Sequence, residues 1–480
     1  MRLMVKTVNN MKRIFITSLL TIALAINGLA QGTNYSGTWY GTTEGGPFSM
    51  TYVFHIVQDD DSITLQWDSP MQKAYGLDAT ATITGDTLCI DMAIVKARYR
   101  ATRGGDRLDG TFTQGDKSMR LRMTQNPDVM ADRPQEALVL ASKNKPYHSE
   151  EVTFTNGDIT LAGTLTVPDA GSQFPAVVLL TGSGSLDRDE NIFGHKGHLL
   201  LADALSRQGF AVLRYDKRGV GASTGGNCSD PVEDLAQDAM AAVRYAASRP
   251  EVDASRVGIV GHSEGAIIAI MNAAQYPNEI AYIVSMAGVG VPTYQFTLKQ
   301  DKVMTSMMGV EKDEDEQQFY EQMYTIIGTE TDSTALRQRM IQFLDNDTYY
   351  QKKLEALLAA DSSYTASMVN EAFIEESTKA QTCKLLQYDP SANLKRIKCP
   401  MLAINGMLDF QVDCEENLGA ISRHAPHATI KAYENLNHLF QDCSGEDNRL
   451  NYAGIRQTMA PQVLEDVVNW LHEAALHNTK

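Results

Sequence analysis

The first part of the chain alternates apolar and polar residues with a period of two, which is typical of β-strands with one buried face. Ser62 to Trp67 alternates in this way, and so does Ala79 to Thr84. Turn pairs such as Gly85-Asp86 separate the runs, as expected for β-hairpins. We predict an all-β module over residues 31–130, either a small sandwich or a barrel, that serves as a packing or carbohydrate-contacting appendage.

The pattern changes after residue 150. Apolar runs that suit buried strands, such as Ala176 to Leu180, now alternate with longer runs of helical periodicity, such as Val232 to Ala247. This alternation predicts an α/β domain over residues 150–480, a doubly wound and mainly parallel sheet with helices on both faces. The polar, proline-containing stretch 131–149 is predicted to be the linker.

Between residues 292 and 389 the alternation stops, and apolar residues recur at helical spacing. We interpret this stretch as a helical insertion in the position of a lid over an active site. Its apolar faces carry a set of flexible or aromatic side chains: Met304, Met307, Met308, Phe319 and Met323. Such faces could line a substrate pocket, since methionine adapts to varied shapes, but they more often serve packing.

The N-terminus, residues 1–30, has the pattern of a secretory signal peptide. Basic Lys12 and Arg13 precede an apolar run from Ile14 to Ile26, and small residues follow it. The apolar run is short for a bilayer span. The sequence therefore predicts an exported bacterial protein, periplasmic or secreted, with no stable membrane insertion after signal cleavage.

Composition narrows the function classes further. The formal net charge of -17 argues against a general binder of nucleic acid or of anionic membranes. The 480 residues include 6 cysteines, with no CxxC pair and no histidines at zinc-site spacing, so we expect no structural metal. Export permits disulfides, but most of these cysteines are expected to be buried free thiols.

Candidate chemistry begins at Gly261-His262-Ser263-Glu264-Gly265, which follows the strand-like run Val257 to Val260 and precedes residues that suit a helix. A strand that reverses into a helix within two residues needs positive φ at the corner and small neighbours. Ser263 is then exposed on a strained turn as a candidate nucleophile. The backbone N–H of Glu264 lies at the helix start, where it can stabilise an oxyanion.

A serine nucleophile needs a base, and the base needs an orienting acid. Asp409 follows the strand-like run Met401 to Asn405, and His438 follows the run Ala428 to Tyr433. This order of serine, acid and histidine is that of doubly wound hydrolases. The second oxyanion donor is expected in the glycine-rich turn after Leu180, from the amide of Ser183, with Gly184 as the next choice.

Three further histidines lie near these motifs. His195 and His198 could share a helix face and bind a metal, but no third ligand lies nearby, so we interpret them as capping or surface residues. His262 is adjacent to Ser263 on a sharp turn, where neighbours point in different directions. We interpret His262 as structural.

Taken together, the motifs resemble those of the α/β-hydrolase superfamily over about residues 152–476. The resemblance rests on four runs: Gly261 to Gly265, Thr181 to Asp189, Tyr215 to Gly221, and Asn437 to Gln441. More narrowly, the chain is similar to bacterial carboxylesterases of the branch labelled serine aminopeptidase-like. The resemblance implies that Ser263, Asp409 and His438 form the triad and that neither a metal nor an organic cofactor is used.

The same resemblance implies that Arg188 and Arg218 tie together loops near the site. The chain departs from the family pattern at two positions. Ser185 stands where proline is expected, and Ala266 stands where a third glycine is expected. Neither departure removes a reacting group, so they concern the shape of the pocket.

We therefore expect an exported serine hydrolase that cleaves small-molecule carboxylic esters through an acyl-enzyme intermediate. One alternative is a serine peptidase of the aminopeptidase type, since the same triad cleaves amides. A second alternative, from another class, is a glycan-binding protein in which the β module grips the glycan and the hydrolase domain is vestigial. An intact triad argues against the second alternative.

Overall fold

The computed structural model describes residues 33–44, 50–59, 62–69, 74–115, 117–125, 133–226, 230–307, 313–443, 452 and 454–477. Within these ranges, no helix is both long enough and apolar enough to cross a membrane. The predicted signal peptide lies outside the described residues, as do Cys228, Met308 and the side chains of Met304 and Met307. The five described cysteines are free thiols, and three of them are buried: Cys399, Cys414 and Cys443.

The N-terminal unit is a closed barrel whose eight strands follow one another in chain order. The strands are β1 (Gly37–Glu44), β2 (Thr51–Gln58), β3 (Ile63–Ser69), β4 (Ala74–Thr84), β5 (Thr87–Met92), β6 (Ala97–Gly104), β7 (Arg107–Gln114) and β8 (Lys117–Thr124). A short 3-10 turn, Ala93–Val95, joins β5 to β6. β8 pairs with β1 and closes the barrel. The sequence predicted either a sandwich or a barrel, and the strand pairing shows that this unit is a barrel.

The barrel has a core of its own because the period-two pattern sends alternate side chains inward. In β3, Leu65 and Trp67 are buried while Gln66 between them is exposed. At the seam, β8 approaches β1 so closely that a Cβ on Gly41 would lie 2.3 Å from the Arg122 carbonyl oxygen. The interior is filled largely by aromatic rings: Trp39, Phe54, Trp67, Tyr99 and Phe112.

The second unit is built on another eight-stranded sheet. Its strands are β9 (Tyr147–Asn156), β10 (Ile159–Pro168), β11 (Phe174–Leu180), β14 (Ala211–Tyr215), β15 (Val252–His262), β16 (Ile283–Met286), β17 (Met401–Gly406) and β18 (Thr429–Tyr433). A separate small hairpin consists of β12 (Asn191–Ile192) and β13 (His195–Lys196). The sheet order is β18-β17-β16-β15-β11-β14-β10-β9. The β9–β10 hairpin pairs antiparallel, and from β14 to β18 every neighbouring pair is parallel.

Helices cover both faces of this sheet, as the sequence predicts. They are Gly197–Arg207, Val232–Ala247, Glu264–Gln275, Ser391–Leu394, Cys414–His424 and Pro461–His477. The central strand β11 shows why the two faces need separate cores. Val178 and Leu180 belong to one apolar cluster, whereas Val177 and Leu179 belong to the cluster on the opposite face.

The stretch predicted to be a linker is partly helical and is bound to the second unit. Pro134–Ala141 forms a helix with proline in its first turn. The Arg133 guanidinium donates to two backbone carbonyls of the second unit. The buried Glu136 carboxylate accepts from the Lys196 backbone N–H at 2.9 Å. The polar groups of this stretch bind backbone groups that are distant in sequence.

The predicted insertion is helical and lies between β16 and β17. Its helices are Thr293–Met307, Glu314–Thr329, Ser333–Asn346, Thr348–Ala360, Ala366–Ser377 and Ala380–Gln387. Side chains at several starts accept a backbone N–H of the first turn, as capping requires. The capping residues are Asp313, Asp332, Asp347 and Thr365.

The insertion also has its own apolar core. Phe319 and Met323 lie in it, packed with Ile327, Met340 and Leu354. Helical spacing alone left open whether these faces line a pocket or serve packing. In the structure, Phe319 and Met323 pack in the core of the insertion.

Met323→Ala should lower the free energy of unfolding of the insertion by about 2–5 kcal/mol, because the Met323 side chain is buried in the insertion core. If the chain hydrolyses esters, as the sequence analysis expects, its preferred acyl chain length should not change. Denaturant unfolding and a series of aryl esters of graded length measure the two quantities. Met368→Ala is the matched control, because Met368 is 56% exposed in a neighbouring helix. A changed chain-length preference in Met323→Ala alone would show that this side chain reaches substrate.

A chain that begins at Arg133 should melt several degrees higher than one that begins at Ala137. The shorter chain lacks the hydrogen bonds of Arg133, Gln135 and Glu136 to the second unit, each worth about 0.5–1.5 kcal/mol net. Thermal melting of the two truncated proteins checks this. Equal melting temperatures would mean that these bonds contribute nothing to stability.

Candidate active site

The sheet order brings the candidate site residues to one edge. β18, β17, β16, β15 and β11 are consecutive neighbours with parallel strand directions, so their carboxyl ends lie at the same edge. Ser263 follows β15, Asp409 follows β17, and His438 follows β18. Ligands of open α/β sheets bind at this edge.

Ser263 sits on a strained turn, as the motif predicts. Its φ is 54° and its ψ is -113°, between the end of β15 and the helix Glu264–Gln275. Its backbone N–H donates to the Met286 carbonyl oxygen at 2.9 Å, which ties the turn to β16. A non-glycine residue with positive φ is uncommon and marks a position that its surroundings impose.

The surroundings of this turn explain why its flanks are glycine. A Cβ on Gly261 would lie 2.1 Å from the Gly265 carbonyl oxygen. A Cβ on Gly265 would lie 2.2 Å from the Leu180 carbonyl oxygen of β11. Backbone therefore packs directly on backbone, and no side chain fits at either position.

Asp409 and His438 form a buried, hydrogen-bonded pair. His438 Nδ1 lies 2.7 Å from Asp409 Oδ2, and the two residues are 4% and 6% exposed. Asp409 Oδ1 accepts from the backbone N–H groups of Gln411 and Val412 at 2.8 and 2.9 Å. Because the carboxylate accepts the Nδ1 proton, Nε2 of His438 is the ring nitrogen that remains to accept a proton.

Asn437 and Gln441 brace the loop that carries His438. Asn437 is fully buried, and its side-chain oxygen accepts from the backbone N–H groups of Leu439 and Gln441 at 3.0 Å. The Gln441 side chain in turn binds Asn437 and contacts His195. This bracing fixes the backbone at His438 before any substrate arrives.

The loop after β11 lies against the serine. A Cβ on Gly182 would lie 3.4 Å from both Ser263 Cβ and His262 Nδ1. The Gly182 N–H is already used, because it donates to Glu190 Oε1 at 2.7 Å. The next amide, that of Ser183, makes no hydrogen bond among the described residues, and Ser183 is exposed. The Glu264 N–H lies in the first turn of its helix, where no partner four residues back is available.

Lys217 connects the two predicted oxyanion segments, a role that the sequence analysis missed. Its Nζ donates to the Gly182 carbonyl oxygen and to Glu264 Oε2, the latter at 2.6 Å. Lys217 is 6% exposed. Lys217 lies within the run Tyr215 to Gly221, one of the four runs that carry the family resemblance. Membership of that run is the sequence signal that could have identified it.

Arg188 and Arg218 brace neighbouring loops, as the resemblance implies. Arg188 makes two side-chain bonds to Asp216, of 3.1 and 2.9 Å. Arg218 makes two to Asp238, of 2.6 and 2.8 Å. Burial opposes the charged form of Asp216, but the hydrogen bonds from Arg188 hold the pKa of this carboxyl below its usual range.

His195 and His198 are buried, which corrects the expectation of capping or surface positions. They are 2% and 1% exposed. His195 Nδ1 lies 2.7 Å from the Thr458 hydroxyl, and its Nε2 lies 2.8 Å from the Tyr452 carbonyl oxygen. Burial lowers the pKa of His195 to about 4 and lowers that of His198 as well. Both partners of His195 come from the far C-terminal part of the chain, which local sequence could not indicate.

His262 links the nucleophile turn to the histidine loop, and Glu190 is its partner. His262 Nε2 lies 3.0 Å from the His438 carbonyl oxygen, and the two imidazole rings are 4.8 Å apart. His262 Nδ1 lies 2.9 Å from Glu190 Oε1. The structural role predicted for His262 agrees with these contacts. Glu190 escaped the sequence analysis, because one more acidic residue after Asp187 and Asp189 carries no distinct signal.

Comparison with known proteins places these residues in context. A family model described as serine aminopeptidase, S33, matches residues 196–442, just over half of the chain. The chain is 27% identical over 332 residues to the esterase EstD of Thermotoga maritima. The matched region covers 68% of this chain and 69% of EstD. It is 32% identical over 150 residues to the esterase FrsA of Yersinia pestis, covering 31% and 33% of the two chains.

A solved structure, the esterase Pf2001 of Pyrococcus furiosus, is similar over 68% of this chain and 92% of that chain. The sequence identity is 17% and the TM-score is 0.42.

Gly265→Ala should destabilise the protein by about 3 kcal/mol or more, because the new Cβ would overlap the Leu180 carbonyl oxygen of a central strand. Gly419→Ala is the control. Gly419 lies inside the helix Cys414–His424, where the nearest atom to a Cβ is the flexible Arg423 Nη1 at 3.4 Å. Alanine there should leave stability unchanged or raise it by up to about 1 kcal/mol. Denaturant unfolding measures both, and equal effects would contradict the close packing at Gly265.

Proposed function

The chain belongs to the serine aminopeptidase S33 family of α/β-hydrolases, and on that premise we propose that it cleaves small carboxylic esters by a Ser263–His438–Asp409 triad. The observation that carries the proposal is the buried 2.7 Å contact between His438 Nδ1 and Asp409, at the sheet edge that also carries the strained Ser263 turn. A serine on a turn between strand and helix, and a histidine oriented by a carboxylate at the same sheet edge, are the groups that nucleophilic catalysis uses.

The proposed reaction has two steps. The Ser263 hydroxyl attacks the ester carbonyl carbon while His438 Nε2 takes its proton, and Asp409 stabilises the resulting imidazolium. The oxyanion that forms is bound by the N–H groups of Glu264 and Ser183. His438 then gives the proton to the departing alcohol, and water, activated by the same nitrogen, releases the acid from the acyl-enzyme.

Esters are the proposed substrates because two relatives of the chain, EstD and FrsA, are named esterases. The name of the matching family model supports amides as the second candidate, with an aminoacyl group on the scissile bond. The two candidates share the triad and differ in the leaving group, which is an alcohol for one and an amine for the other.

A vestigial hydrolase domain attached to a glycan-binding barrel is less well supported. Such a domain has no need for the buried Asp409–His438 pair or for positive φ at Ser263. Strain of this kind costs about 1–3 kcal/mol and persists at functional sites. Export, proposed from residues 1–30, would place the reaction in the periplasm or outside the cell.

Ser263→Ala should lower kcat on an aryl ester by about 10⁴-fold or more, because the attacking oxygen is lost while the backbone of the turn is kept. Ser255→Ala is the matched control, since Ser255 lies in the strand that leads to Ser263, is exposed, and donates a side-chain hydrogen bond to Asp253. Turnover of aryl esters and of aminoacyl anilides by both variants and the wild type separates the two candidates. A folded Ser263→Ala protein with undiminished turnover would sink the proposal.

A further inference from the structure

Glu190 is a buried carboxylate behind the proposed triad, and it holds the loop that carries the oxyanion donor. It is 7% exposed. Its Oε1 accepts from the Gly182 N–H at 2.7 Å and lies 2.9 Å from His262 Nδ1. Gly182 immediately precedes Ser183, so the position of this carboxylate determines where the Ser183 amide points.

The contacts of His262 determine its proton count. Nδ1 faces Glu190 Oε1, which already accepts a backbone N–H, and Nε2 faces the His438 carbonyl oxygen at 3.0 Å. Both partners are hydrogen-bond acceptors. A neutral imidazole has one N–H, so it could satisfy only one of them and would turn a lone pair toward the other. As long as Glu190 is ionised, only a ring with protons on both nitrogens satisfies both contacts.

We infer that His262 is an imidazolium paired with the Glu190 carboxylate, and that this buried pair is a positioning device. It holds the oxyanion loop through Gly182 and the catalytic histidine loop through the His438 carbonyl group. Neither residue touches the reacting atoms. The inference rests on the proposed function, because a fixed distance between oxyanion donor and base matters only if Ser263 is the nucleophile.

The other titratable groups around this pair are consistent with a proton on His262. His198 comes from the helix Gly197–Arg207, and its Nε2 lies 3.3 Å from Glu190 Oε2. Burial lowers the pKa of His198 and that of His195. His195 lines a small cavity of about 20 Å³ together with Glu190 and His262. Burial also opposes a charge on His262, but the Glu190 carboxylate raises the pKa of His262 above its usual value.

Two carboxylates, Glu190 and Asp409, flank the rings of His262 and His438. Burial opposes ionisation of Glu190, but the charge of His262 holds the pKa of Glu190 well below its usual range. Asp409, bound to His438, adds to the field that favours protonated His262. One carboxylate thus pairs with His262 and the other with His438, and the two rings lie 4.8 Å apart.

The positioning device should fail at high pH. The pKa of His262 is raised, so the imidazolium persists to higher pH than an ordinary histidine and loses its proton as the pH rises through that value. The neutral ring then turns a lone pair toward an acceptor oxygen, and one of the two loops loses its anchor. Activity should therefore fall on the alkaline side as His262 gives up its proton.

The test combines a protonation measurement with kinetics on the full chain. Imidazole nitrogen NMR of histidine-labelled wild type at neutral pH should show His262 protonated on both nitrogens. Glu190→Gln should leave His262 neutral, lower kcat by about 10- to 100-fold with little change in KM, and move the alkaline limb of the pH profile to lower pH. Glu136→Gln is the matched control, a second buried carboxylate that accepts from the Lys196 backbone and the Thr458 hydroxyl and, among the described residues, makes no hydrogen bond to Ser263, Asp409 or His438. It should leave kcat and the pH profile at wild-type values.

Each outcome decides the inference. A neutral His262 in the wild type overturns the ion pair, and wild-type kinetics in Glu190→Gln overturn the positioning role. Should Glu190→Gln fail to fold, Glu190→Asp keeps the charge but withdraws it by one methylene, and it should lower kcat with His262 still protonated. If Ser263→Ala retained turnover, the proposed function would fail, whereas the NMR measurement would still report the ion pair.

Discussion

The contact of backbone with backbone at the Ser263 turn is the constraint on which the rest of the second unit depends. Gly261 packs on Gly265, and Gly265 packs on the Leu180 carbonyl group, so β15, its helix and β11 can approach only without side chains. Positive φ at Ser263 costs about 1–3 kcal/mol, and the surrounding sheet must supply it. The hydrogen bond from the Ser263 N–H to Met286 shows how β16 contributes to holding the turn.

Buried charges fix the loops around this turn. Arg188 pairs with Asp216, Arg218 pairs with Asp238, and Lys217 binds both Glu264 and the Gly182 carbonyl group. Buried ion pairs add little net stability, because desolvation offsets their attraction, but losing one partner leaves an uncompensated charge. Their consequence here is geometric, since each pair joins segments that are distant in sequence. The inferred Glu190–His262 pair extends this network to the loop of His438.

The barrel and the helical insertion each have an apolar core of their own. Each has an apolar cluster that contains no residue of the α/β sheet. The insertion enters the chain between β16, which anchors the Ser263 turn, and β17, which leads to Asp409. Core residues of the insertion such as Met323 therefore pack on one another and not on the turn.

Local sequence signals were enough to predict most of the elements. Hydrophobic period, turn residues and the glycine pattern around Ser263 predicted the all-β module, the parallel sheet, the insertion and the strained turn, and the order of Asp409 and His438 followed from the strand ends. The tertiary structure alone decided what depends on residues far apart in the chain. Strand pairing shows that the first unit is a barrel. Long-range hydrogen bonds attach residues of the predicted linker to the second unit. Folding also buried His195 and His198 and brought Glu190 to His262. A histidine or a glutamate has the same local signal on a surface as in a buried pair, because only the partner that folding brings to it distinguishes the two.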